Sequence, residues 1–264
     1  MSGMLAPEVL VLGGSGKVGS GIVSALLEAG SPVLAVGRDR RRLEQLAAWH
    51  ADEPGLELMS GSVANDRQAE RLAEQIAARP RQLRAIVDAV GGIHRSGRLL
   101  DQPASSLRRT LDEDVLPHLA AARHLLPLLG ERAGATTARY IIVGGPQTEC
   151  GWSGYGQASV TVAASRMLAK VLHEEAKSLG VRLQLLAVPS PVWTVENAAH
   201  ACAGWPSALA VCRNVVSLLA GDGDDGRCVI AYSPPRAAPP RRLLGGDVVR
   251  PPGSLASPDN SRTA

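Results

Sequence analysis

The run Gly13-Gly14-Ser15-Gly16-Lys17-Val18-Gly19 constrains this chain more than any other feature. It separates a short apolar segment, Glu8–Leu12, from a segment of helical period in which Val18, Ile22, Leu26 and Ala29 share a face. Glycines 13, 16 and 19 stand three apart. A strand that turns directly into a helix over a pyrophosphate needs this spacing. One glycine makes the turn, one lets the backbone approach the phosphates, and one lets helix and strand pack closely. The helix N-terminus then offers free N–H groups and a partial positive charge. A Walker A loop is excluded, because Lys17 is followed by Val18 and not by Ser or Thr. Gly13, Ser15, Gly16, Lys17, Val18 and Gly19 are therefore the first candidate cofactor-binding residues.

The same alternation continues. Apolar runs at 32–36, 55–59, 83–90, 139–143, 181–188 and 227–231 are interleaved with helical-period segments at 41–50, 66–78, 102–129, 153–179 and 207–220. Short apolar strands between amphipathic helices predict a parallel sheet covered on both faces, with right-handed crossovers. The expected fold is α/β, a Rossmann-type doubly wound parallel sheet in a single domain over residues 8–233. Residues 1–7 read as a flexible leader. Residues 234–264 hold seven prolines without helical or strand period, and are expected to be a disordered Pro/Arg-rich tail.

Composition narrows the partners. The chain has 28 basic and 25 acidic residues, of which the tail takes five and two, leaving 23 of each in the body. A body without a basic field gives no reason to expect nucleic acid. No run of about eighteen apolar residues is free of charge, so no membrane span is expected. Met1 to Glu8 lacks the basic and apolar regions of a signal peptide. The four cysteines have no CxxC pair, so neither a disulfide framework nor a metal site is expected, and a cytoplasmic location fits best. With no Phe in the chain, the core must be built from Leu, Val, Ile and Ala.

The second apolar run ends in Gly37-Arg38-Asp39, about 20 residues past the glycine loop, where the adenosine ribose sits in such folds. An acid there accepts from the ribose 2′-hydroxyl of NAD. Arg38 comes first here, with Arg40, Arg41 and Arg42 behind it. A guanidinium suits a 2′-phosphate, so NADP is favoured, and Asp39 leaves NAD open.

With these motifs in order, the sequence resembles the short-chain dehydrogenase/reductase family over residues 8 to 232. Val87-Asp88-Ala89-Val90-Gly91 stands where the family has Asn-Asn-Ala-Gly, and Leu125-Leu126-Pro127 matches the end of its fifth helix. Pro189-Ser190-Pro191-Val192-Trp193-Thr194 matches a Pro-Gly-x-x-x-Thr stretch beside the nicotinamide. The resemblance implies that Arg38, Ala89, Gly91, Pro189 and Thr194 join the glycine loop around NADP. It also implies a homodimer or homotetramer through the two long helices, where Ala163, Ala164, Met167 and Val171 form an apolar stripe.

The family's chemistry rests on a Tyr, a Lys four residues later, a Ser and an Asn. The Tyr is matched by Tyr155, but the Lys position is Ser159, the Asn position is Asp114, and the Ser position falls at Gly144 or Gly145. A free phenol has a pKa near 10 and is a poor base at neutral pH without a neighbouring cation. Lys170, eleven residues along the same helix, is about 16 Å away. Asp114 is the expected cleft carboxylate, and His94, on the loop after Gly91-Gly92, is a further acid–base candidate. His118, His124 and His173 fall in helices and read as packing or surface residues. Ser62 stands where many relatives carry an Asp that reads adenine.

Three functions follow from this pattern. The first is an atypical NADP-dependent oxidoreductase acting on a small organic carbonyl or alcohol. The second is a redox-neutral cyclase, isomerase or lyase on the same fold, and the third a non-catalytic dinucleotide-binding protein.

Overall fold

The computed structural model describes residues 8–92, 96–132, 137–146, 151–194, 201–221 and 226–233. The leader and the tail lie outside these. Among the described residues, seven strands are interleaved with seven α-helices: β1 (Glu8–Leu12), α1 (Lys17–Glu28), β2 (Val33–Gly37), α2 (Arg40–Trp49), β3 (Leu56–Ser60), α3 (Asp66–Ala77) and β4 (Leu83–Asp88). There follow α4 (Ala104–Asp114), α5 (Leu116–Arg132), β5 (Ala138–Gly144), α6 (Gly156–Ala176), β6 (Val181–Ala187), α7 (Ala208–Ala220) and β7 (Val229–Ala231).

All seven strands are parallel, in the order β3-β2-β1-β4-β5-β6-β7. Winding reverses between β1 and β4, and the crevice at such a switch point is where ligands enter this architecture. Strand alternation builds two cores. Val9 and Val11 face α1 and α7, whereas Leu10 and Leu12 face α3, α5 and α6. Tyr140 on β5 is among the largest fully buried side chains, in a chain without Phe.

Three helices, α2, α3 and α7, begin where short polar side chains satisfy their first amides. Asn65 accepts the Gln68 N–H at 3.1 Å and Ser207 accepts the Ala210 N–H at 3.1 Å. One expectation fails. The segment 102–129 is not one helix, because the chain breaks at Val115 between α4 and α5. Pro117 lacks the N–H that would bond the Glu113 carbonyl, and its ring crowds that oxygen.

Candidate cofactor site and active site

A cavity of about 470 Å³ opens at the carboxyl ends of β1, β2 and β4. Of the residues singled out from sequence, Gly13, Ser15, Gly16, Arg38, Ala89 and Gly91 line it. The glycine roles are visible in the backbone. Gly13 has φ +71°, and a Cβ there would meet the Ala89 carbonyl oxygen at 2.7 Å. A Cβ at Gly19 would overlap the Gly13 carbonyl. Unlike α2, α3 and α7, α1 has no side-chain cap at its N-cap, Gly16; like α2 and α7, it carries no acid in its first turn. That helix end is therefore open to an anion. Lys17 is exposed and is not part of the lining. Val18 packs against the core, and its carbonyl accepts the Cys212 thiol at 3.6 Å.

At the end of β2, Arg38 and Arg42 both line the cavity. Asp39 caps α2, its Oδ1 accepting the N–H groups of Arg41 at 3.0 Å and Arg42 at 3.3 Å. Its Oδ2 lies 3.6 Å from Arg42 Nε. The acid that kept NAD open is thus engaged with its own helix. Arg40 pairs with Glu44 at 3.0 Å. Ser62 lines the cavity, and its hydroxyl accepts the Ala64 N–H at 3.2 Å.

Tyr155 is the N-cap of α6 and is 40% exposed. A single parallel bridge to Gly97 holds its backbone, and Trp152 meets its ring edge-to-face at 6.3 Å and 82°. Ser159 lies one turn along α6. Its hydroxyl accepts the Trp152 N–H at 2.9 Å and donates to the Tyr155 carbonyl at 3.0 Å. At the end of β5, a Cβ at Gly145 would have Val162 as its nearest neighbour at 3.8 Å, whereas at Gly144 it would meet the Leu186 carbonyl at 3.1 Å.

Asp114, the expected cleft carboxylate, sits at the end of α4. It is buried, and its Oδ1 accepts the Gly92 N–H at 2.8 Å. It borders a second cavity of about 580 Å³, between α4 and the start of α6. Pro189 and Thr194 follow β6 and line neither cavity. The Trp193 N–H donates to the Pro206 carbonyl at 2.9 Å, tying this segment to the start of α7. His94 lies outside the described residues. Among the described residues, no cluster of His, Cys, Asp and Glu could hold a metal ion, and no helix is long and apolar enough to cross a membrane.

Sequence reasoning missed a buried polar group beneath this site. His118, expected to be a packing or surface residue, donates from Nδ1 to Asp88 Oδ2 at 2.8 Å, and the Tyr140 hydroxyl donates to the same oxygen at 3.0 Å. Burial would lower the His118 pKa. The charge and hydrogen bond of Asp88, with the charge of Asp114, outweigh burial and raise it above the ordinary value. Burial, followed by the Asp88 charge and hydrogen bond, holds the Tyr140 hydroxyl well above its usual range, so it remains a neutral donor. The signal in the sequence was an acid at the end of an apolar strand, Asp88, with no adjacent cation.

A doubly wound parallel sheet with a glycine-lined cavity at its switch point defines a Rossmann-type protein. The sequence matches the short chain dehydrogenase family over residues 7–199, and the chain belongs to that family. No curated protein matches it. The fold is similar to a short-chain type dehydrogenase/reductase from Mycobacterium ulcerans, at 20% identity and TM-score 0.73, covering 86% of this chain and 89% of that one. It is also similar to a gluconate 5-dehydrogenase from Burkholderia cenocepacia, solved with NADP and tartrate, at 19% identity and TM-score 0.74, covering 86% and 93%. The Pseudomonas aeruginosa RhlG complex with NADP is similar at 23% identity and TM-score 0.73, covering 86% and 95%.

Proposed function

We propose that this chain is an NADP-dependent oxidoreductase acting on a small organic carbonyl or alcohol, with Tyr155 as its proton-transfer residue. One observation carries the cofactor reading. Arg38 and Arg42 line the ribose end of the cavity beside Asp39, whose Oδ1 caps α2. A 2′-phosphate fits two guanidinium groups, and Asp39 Oδ1, an acceptor for a 2′-hydroxyl, is already taken by two backbone amides. The phosphate end fits as well, since Gly13, Gly16 and Gly19 leave the α1 N-terminus bare. Two of the similar structures hold NADP.

When bound, NADPH supplies a hydride. The chain's own part is to hold the dinucleotide through the glycine loop and the two arginines, and to move a proton at Tyr155 Oη. Ser159 brings no charge to that proton transfer, and Gly145 brings no hydroxyl to a reacting carbonyl. Loss of such groups typically lowers rate by about 10²–10⁴. The reading is therefore of slow turnover with an intact cofactor site. NADPH consumption over a panel of small aldehydes and ketones tests it. Turnover abolished by Tyr155→Phe supports the reading, and turnover unchanged by that variant overturns the role of Tyr155.

A second reading, dinucleotide binding without turnover, is favoured by the Ser159 hydroxyl, which is engaged by Trp152 and by the Tyr155 carbonyl. NADPH binding with no consumption on any substrate supports this second reading. The redox-neutral reading would rest on Asp114, which borders the second cavity with its Oδ1 already given to the Gly92 amide.

The assembly proposed with this function is a homodimer or homotetramer through α5 and α6. Ala163, Met167 and Val171 are exposed at successive turns of α6, with Leu116 and Leu119 exposed on α5. Sedimentation of the purified chain tests it, and a monomer at micromolar concentration overturns it.

A further inference from the structure

The turn 89–92 floors the cofactor cavity, and two buried carboxylates hold it from behind. Asp88 Oδ1 accepts the Val90 N–H at 3.2 Å, and Asp114 Oδ1 accepts the Gly92 N–H at 2.8 Å. Both acids act on one imidazole. His118, on α5, donates to Asp88 at 2.8 Å, and Asp114 also bears on it electrostatically. Asp88, Asp114 and His118 are 0%, 7% and 5% exposed. Carboxylates buried this deep need a compensating charge. The titratable groups around the imidazole are Asp88 on β4, Asp114 on α4 and, through Asp88, Tyr140 on β5. Tyr140 supplies a neutral hydrogen bond. His118 supplies the charge.

We propose that His118 is a positioning residue for dinucleotide binding: as an imidazolium shared by Asp88 and Asp114, it fixes the turn 89–92 against the cofactor, and its deprotonation loosens that turn. The inference rests on the NADP reading above for its effect on affinity, but not for its effect on the turn. It gives α5 a role in a site from which its side chains are otherwise nearly absent. Pro117, next to His118, is the α5 residue that reaches the cavity wall.

Two measurements on the full chain test this separately. The first is amide hydrogen exchange at Val90 and Gly92 without any dinucleotide, as protection factors from pH 6 upward. Protection at both amides falls about tenfold as His118 deprotonates. In His118→Gln, protection is low and flat across the range. Adding Asp114→Asn to His118→Gln removes one of the two uncompensated charges and restores protection at Val90. Protection that is unchanged by pH and by His118→Gln overturns the proposal. The second is NADPH affinity over the same range, expected to weaken about tenfold with the same midpoint in the wild-type chain and to be flat in His118→Gln. An affinity independent of pH while exchange follows it overturns the coupling to cofactor. Failure to bind NADPH at any pH sinks the cofactor reading alone, since the exchange experiment still decides whether His118 fixes the turn.

Discussion

The Ser159 hydroxyl donates to the Tyr155 carbonyl oxygen across 3.0 Å, closing the first turn of α6 on itself. The same hydroxyl accepts the Trp152 N–H, so the residue one turn beyond the phenol is committed to backbone. A lysine there would place a cation near the phenol. A Cβ at Gly145 has 3.8 Å of clearance, which leaves room for a serine. The double variant Ser159→Lys/Gly145→Ser is therefore expected to gain carbonyl reduction by about 10²-fold, measured as NADPH consumption. A loss of existing turnover in that variant would mean that the native residues serve a different reaction.

The ribose end of the cavity makes a charge prediction. Arg38→Ala is expected to weaken NADPH binding about 10- to 100-fold, the equivalent of one charge-assisted hydrogen bond, and to leave NADH binding nearly unchanged. Arg40→Ala, which removes the partner of Glu44 on the exposed face of α2, is expected to change neither. Equal losses of NADPH and NADH on Arg38→Ala would count against contact with a 2′-phosphate.

Stability should depend on pH through His118. Its pKa is raised in the folded chain above the value near 6.5 expected when unfolded. The folded state thus binds this proton more tightly. The contribution to stability is complete below about pH 6.5 and is lost as pH rises through the folded value. Denaturant unfolding should show a fall in stability over that alkaline window. His118→Gln should be destabilised by about 3 kcal/mol at pH 6 and show a flatter profile. A wild-type profile that rises over the same window contradicts the buried pair.

The glycine loop makes a packing prediction. Gly19→Ala places a methyl group on the Gly13 carbonyl, and both atoms belong to backbone. The variant is expected to lose about 1–3 kcal/mol in denaturant unfolding and to lose dinucleotide binding. An unaltered midpoint would mean that α1 can shift away from β1 without cost.

How far the sequence carried depends on the range of the interactions. The strand before Gly13 and the helix after Gly19 were legible because turn, period and glycine spacing are local. The doubly wound parallel sheet then followed from alternation, whereas the strand order that puts the switch point between β1 and β4 came only with the fold. The break at Val115 was missed because helical period continues across it, although Pro117 was a local signal. The role of Asp114 was not legible, since its partner Gly92 lies 22 residues back on a turn that only the folded sheet brings near. The pair of His118 and Asp88 spans 30 residues and two layers, so a helix-face histidine read as packing. Arg38 was found because the end of β2 has a fixed place relative to the loop, but Asp39 reads as a ribose acceptor until its cap to Arg41 and Arg42 is seen.

The central claim is a dinucleotide site selective for a 2′-phosphate. A calorimetric titration of the purified chain with NADPH and NADH tests it most directly. Micromolar NADPH binding is expected, with NADH binding at least about tenfold weaker. Equal affinity for the two, or binding of neither, would contradict it.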